Sequence, residues 1–264
     1  MKKIALLAFC LLPFAFLLSQ SYRSSNNPNY WKNKKPFEGY WQQDVDYKIK
    51  AKLDEKTNII SATEELTYYN NSPDTLTFVY FHLYQNAFQP GSYFDKMSRE
   101  NGVTPKYGKY EAQKKNTEIL SLISNGVELK KSEDNTIVKV YLTKPLLLND
   151  SVSFNIAFIS YFDTGTQRRR MKMFNTYGYK HFDGMHWYPR LCVYDRKFGW
   201  ETDQHMEKEF YGDFGTYDVE INFANNYIVE ATGELQNRND ILPDTLRKKL
   251  DITNFKDKEL NSPP

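Results

Sequence analysis

The feature that most constrains this chain is a strict alternation from Val45 to Leu53. Val45, Tyr47, Ile49, Ala51 and Leu53 are apolar, and Asp46, Lys48, Lys50 and Lys52 between them are charged. A period of two sends successive side chains to opposite faces of an extended strand, one face into a core and the other into water. Asp54 to Asn58 supplies turn chemistry. Ile60, Ala62, Leu66 and Tyr68 then share one face against Ser61, Thr63, Glu65 and Thr67, so the two segments predict a hairpin. The adjacent acids Glu64 and Glu65 point to opposite faces, which does not suit them to cooperative acid–base work. Asn70-Asn71-Ser72-Pro73-Asp74 marks the next turn, and Leu76 to Tyr84 is apolar enough on both sides for a central strand.

Strand patterns resume at Glu118–Ser124, Thr136–Leu142, Val152–Tyr161 and Tyr217–Phe223, and an Asn225-Asn226 turn leads into Tyr227–Ala231. Helical spacing is confined to short turns at Asp95–Asn101 and Pro243–Leu250. The residues from Gln85 to Lys115 lose all pattern, as a long functional loop does. About nine short strands separated by turn signals predict an all-β protein, an antiparallel β-sandwich with long irregular loops.

Composition narrows the class. Hydrophobic residues at 40% and charged residues at 26% exclude wholesale disorder and a multi-span membrane protein. Lys and Arg number 35 against 33 acids, and the excess vanishes once Lys2 and Lys3 are set aside. A chain so neutral has no field to draw nucleic acid or an anionic membrane. Arg168-Arg169-Arg170 with Lys172 forms a local basic patch, read as a solvated loop or an intramolecular docking surface. Aromatics are abundant, 20 Tyr and 18 Phe with 4 Trp.

Residues 1–20, with Lys2 and Lys3, an apolar run from Ile4 to Leu18 and then Ser19, Gln20 and Ser21, have the outline of a secretory signal peptide. The run is too short to span a bilayer, and Pro13 interrupts it. The expectation is an exported protein that is periplasmic, secreted or held at the cell surface, with no membrane contact beyond that signal. Cys10 leaves with the signal, so Cys192 stays unpaired. Its neighbours Leu191, Val193 and Tyr194 suggest a buried, inert thiol. Residues 21–40 read as a linker or extended arm, and 41–255 as the sandwich. Asn70-Asn71-Ser72 and Asn149-Asp150-Ser151 fit glycosylation acceptors.

No chemical motif is complete. The histidines are His82, His181, His186 and His205, and none stands in HExxH; GxSxG and GxGxxG are also absent. His82 falls within an apolar strand and reads as a core or edge histidine. No metal site and no catalytic residue is therefore expected in this chain. The densest segment is Gly184 to Gly215, which gathers Trp187, Tyr188, Trp200, Phe210, Tyr211 and Phe214 with Pro189, Arg190 and Asp195. It reads either as an aromatic packing corner between sheets or as a surface that meets a ligand or another domain.

Two blocks carry a family resemblance. The first runs from Tyr40 through NNSPDTL and YFHLY to Phe88. The second, from His186, contains WYPRLCVYD, FYGDFGTYDV and ATGELQN. Together they resemble the N-terminal domain of the aminopeptidase N family of zinc metallopeptidases, in its exported bacterial form. The resemblance implies a saddle-like β domain preceding a catalytic domain that holds zinc through HExxH and a further Glu. It implies that residues 256–264 begin a linker to that missing domain, that the partners are the C-terminal catalytic domain of the same polypeptide and a peptide substrate, and that zinc belongs to that domain. In the family the β domain lends a polar group to the substrate's amino end from just before the aromatic-Pro motif. Here the matching place is nearest His186, where relatives commonly carry Gln or Glu, with Tyr188 and Arg190 beside it as further substrate-binding candidates. The reading that competes is a free-standing secreted module that binds carbohydrate or peptide through exposed aromatics.

Overall fold

A computed structural model describes residues 22–166, 171–206 and 211–254. The expected signal at 1–20, the basic run Arg168–Arg170, Phe210 and the expected linker at 256–264 lie outside the described residues. The chain divides into two compact units, Met1–Ala224 and Asn225–Pro264.

In the first unit the strands are, in chain order, β1 (Asp44–Asp54), β2 (Ile59–Tyr69), β3 (Leu76–His82), β4 (Thr117–Ser124), β5 (Val127–Glu128), β6 (Lys131–Asp134), β7 (Ile137–Leu146), β8 (Ser151–Tyr161), β9 (Met171–Thr176), β10 (Tyr179–Gly184), β11 (Arg190–Leu191), β12 (Tyr194–Asp195), β13 (Gly199–Trp200) and β14 (Gly215–Asn222). Two sheets face each other. One is six-stranded in the order β14-β1-β2-β8-β4-β5, and the other four-stranded in the order β11-β3-β7-β6. The pairs are antiparallel apart from β14, which runs parallel to β1. The predicted all-β sandwich is the fold observed.

Alternation explains the layers. In β1 Tyr47, Ile49 and Ala51 are buried and Lys48, Lys50 and Lys52 exposed, and β2 and β8 lie against it in register, Ile49 opposite Glu64 and Glu64 opposite Ile156. The shared core draws Leu66, Tyr68, Phe154, Ile156 and Phe158 from the larger sheet and Val79, Phe81, Val138 and Val140 from the smaller one. Phe81 meets Phe154 edge-to-face across it, with ring centroids 5.7 Å apart. Burying side chains of this size contributes about 1.5–3 kcal/mol each before chain entropy is counted.

The irregular region after β3 is short-helical: a 3-10 turn at Tyr84–Ala87, then α1 (Tyr93–Glu100) and α2 (Lys109–Ala112). Ser92 caps α1 by accepting from the Asp95 amide at 3.0 Å. The expected strand at Tyr227–Ala231 is not formed. The second unit instead has α3 (Arg238–Ile241) and α4 (Asp244–Lys249) among exposed turns.

Candidate functional site

The site forms where the end of β3 meets β11. Arg190 stands opposite His82 in that pair, and Leu191 opposite Phe81. The Cys192 amide extends the contact by donating to Tyr80 O at 2.8 Å, and the Leu191 amide donates to Tyr47 Oη at 3.1 Å. The segment from Trp187 to Val193 is thus fastened to both sheets.

Beyond His82 the chain turns, and Tyr84 becomes the hub of a ring cluster. Its ring stacks on His82 with centroids 4.6 Å apart and 12° between planes, and lies 4.7 Å from His186 and 5.2 Å from His205. Gln85 Nε2 donates to Met185 O at 2.8 Å, fixing the residue before His186. His186 itself takes φ 57°, a left-handed conformation uncommon for a residue with a Cβ. His82 Nε2 lies 2.9 Å from Glu201 Oε2.

The three imidazoles surround a phenol and do not converge on one point. Among the described residues no group of three or more His, Cys, Asp or Glu could hold a metal ion. These residues do not fit a zinc centre, because His82 is engaged by Glu201 and Tyr84 separates it from the other two rings.

Tyr188 is half-buried, 5.4 Å from Trp187 and 5.7 Å from Tyr47 between ring centroids. Tyr47 stacks on Tyr217 at 4.7 Å and 7°. Burial holds the Tyr188 phenol far above its ordinary range, and the neighbouring Tyr217 adds to it. Tyr84 is raised by burial too, with Arg190 opposing. Burial works against the charge on Arg190, but the phenols of Tyr217, Tyr84, Tyr188 and Tyr47 outweigh it and the guanidinium holds its proton more firmly than usual. Burial also pushes the Asp213 carboxyl up to about 8, against the pull of Arg190.

The structure thus places His186 and Arg190 against the same phenol, Tyr84, and Tyr188 and Arg190 against Tyr47 and Tyr217. Sequence reasoning missed Tyr47, Tyr84, Tyr217, Asp213 and Glu64. Glu64 is 0% exposed on the core face of β2, and neither carboxylate oxygen has a hydrogen-bond partner. Its signal was parity, since it shares its face with Ala62 and Leu66. The remaining histidine, His181, is exposed on the β9–β10 hairpin, whose tip carries Tyr177 at 97% exposure. A shallow depression of about 360 Å³ opens on the polar face of β1, β2 and β14. It is lined by Arg23, Lys48, Asp46, Glu65 and Asp218, two cations among three carboxylates.

An all-β sandwich with an aromatic and histidine cluster at a sheet corner is the class that the fold and site define. No protein-family model and no curated protein sequence matches the chain. Solved structures to which the chain is similar include an M1 zinc metallopeptidase mutant from Deinococcus radiodurans bound to a Tyr-Ser-Ala substrate, at 10% identity and TM-score 0.37, covering 74% of this chain and 37% of that one. A two-domain M1 zinc metallopeptidase mutant bound to L-arginine aligns at 13% identity and TM-score 0.35, covering 56% and 28%. A similar mutant bound to L-tryptophan aligns at 12% and 0.30, covering 46% and 21%. The chain therefore spans well under half the length of these structures. No helix among the described residues is long and apolar enough to cross a membrane.

Proposed function

We propose that this chain is the non-catalytic β domain of an exported zinc-dependent aminopeptidase, a protein that removes N-terminal residues from peptides. The supporting observation is that the two blocks that carry the family resemblance fold onto one another. His82 of YFHLY pairs with Arg190 of WYPRLCVYD, and Tyr194 Oη of the second block donates to Asp74 Oδ2 of NNSPDTL at 2.6 Å.

In this reading the zinc, which lowers the pKa of its bound water, belongs to a catalytic unit that carries HExxH. The β domain supplies one wall of the peptide path. His186 faces the amino end of the peptide, because a neutral imidazole nitrogen can accept a hydrogen bond from an ammonium. Tyr188 and Arg190 line the wall beyond it. The coding sequence beyond codon 264 tests the reading. An in-frame HExxH followed by a further Glu supports it, and a stop codon directly after Pro264 contradicts it.

A further inference from the structure

Arg190 is half-buried, and its guanidinium makes no hydrogen bond or ion pair with the side chain or backbone of any described residue. A guanidinium has five N–H donors, and partial withdrawal from water without a counter-charge is costly. The neighbours that favour the charge are phenols, not carboxylates. Tyr217, Tyr84, Tyr188 and Tyr47 bring four phenols within its electrostatic range. The backbone of Gly212 approaches so closely that a Cβ there would fall 1.5 Å from Nη2. Asp213, the next residue, is within range of Arg190 yet forms no ion pair with it. Its carboxyl, pushed up by burial to about 8, is mostly protonated near neutral pH.

We propose that Arg190, among its neighbouring phenols, binds a carboxylate group of a peptide ligand. The planar fork of a guanidinium matches a carboxylate through two parallel N–H···O bonds. A monovalent carboxylate suits the site better than a phosphate dianion, because Asp44 and Asp195, which act on Asp213 beside Arg190, would repel a second negative charge. The inference extends the peptide-processing reading and rests on it for the identity of the ligand.

The test is calorimetric titration of the purified 264-residue chain with Ala-Ala-Ala, with its C-terminal amide and with inorganic phosphate. The free acid is expected to bind at least about tenfold more tightly than the amide, as charge-assisted hydrogen bonds require. Arg190→Gln is expected to abolish that preference, and Arg190→Lys, which keeps the charge but loses the fork, to lose most of it. Circular dichroism checks that both variants fold; should the Gln variant not fold, the Lys variant decides. Equal binding of acid and amide, an undiminished preference in the variants, or phosphate binding more tightly than the tripeptide would each overturn the proposal. Its failure leaves the aminopeptidase reading standing, and a stop codon after Pro264 would leave measured carboxylate binding standing.

Discussion

The phenol of Tyr30 donates to Asp44 Oδ2 at 2.8 Å, tying a segment with no sequence periodicity to the first strand of the sandwich. Asp44 is 0% exposed and also accepts from Asn71 Nδ2 at 3.0 Å and Trp31 Nε1 at 3.4 Å, while Arg23 Nε lies 3.4 Å away. One buried carboxylate at the start of β1 thus gathers residues 22–40 against the domain.

Asp44→Ala would leave these buried donors without an acceptor, at a cost of about 2–3 kcal/mol. Urea unfolding should show that loss, and trypsin should cut the variant faster at Lys32 and Lys34. Wild-type cleavage rates would show that the arm is held by other contacts.

Glu64 sets the pH dependence. Burial raises its carboxyl well above the ordinary value, so the folded chain keeps a proton that the unfolded chain releases above about pH 4.3. Stability must then fall as pH rises through this window, by up to about 1.4 kcal/mol per pH unit for one such group. Asp213, held up to about 8, acts with the same sign up to that pH. Melting temperatures should decline from pH 5 to 8, and Glu64→Gln should flatten the decline. A wild-type melting temperature that does not change with pH would refute the assignment.

The alternating strands β1, β2 and β8 were legible because one face is wet and the other dry. The hairpin of β9 and β10 was not, because most of its residues on both faces remain partly exposed, so no alternation marks it. Its tip is Tyr177-Gly178, both at positive φ, in place of the commoner Asn-Gly signal. Tyr227–Ala231 misled in the opposite direction. The run has apolar residues side by side, nothing fixes which face is to be buried, and Ile228 is 89% exposed. At the site, the density from Trp187 to Phe214 was visible, as was His186. Tyr47 and Tyr217 were not linked, because their contact depends on the parallel register of β1 and β14. The irregular arm offered no pattern because side-chain hydrogen bonds to Asp44 hold it.

Gly215 opens β14 beside Val45. A Cβ there would lie 2.2 Å from the Val45 carbonyl oxygen, which cannot yield without disturbing the strand pair. Gly215→Ala should therefore destabilise the first unit by about 1–3 kcal/mol in denaturant unfolding. Wild-type stability would mean that the pair can slide apart freely.

Cys192 is 0% exposed, and burial holds its thiol well above the ordinary range. A thiol-specific disulfide reagent should label it slowly in the native protein and at once in denaturant. Rapid native labelling would contradict a buried, inert role.

The proposed function places the zinc chemistry outside these residues. The most direct measurement is release of nitroaniline from alanine p-nitroanilide by the purified 264-residue chain, with added zinc and with EDTA. The account predicts no release under either condition. Zinc-dependent release that EDTA abolishes, and that persists through further purification, would contradict it.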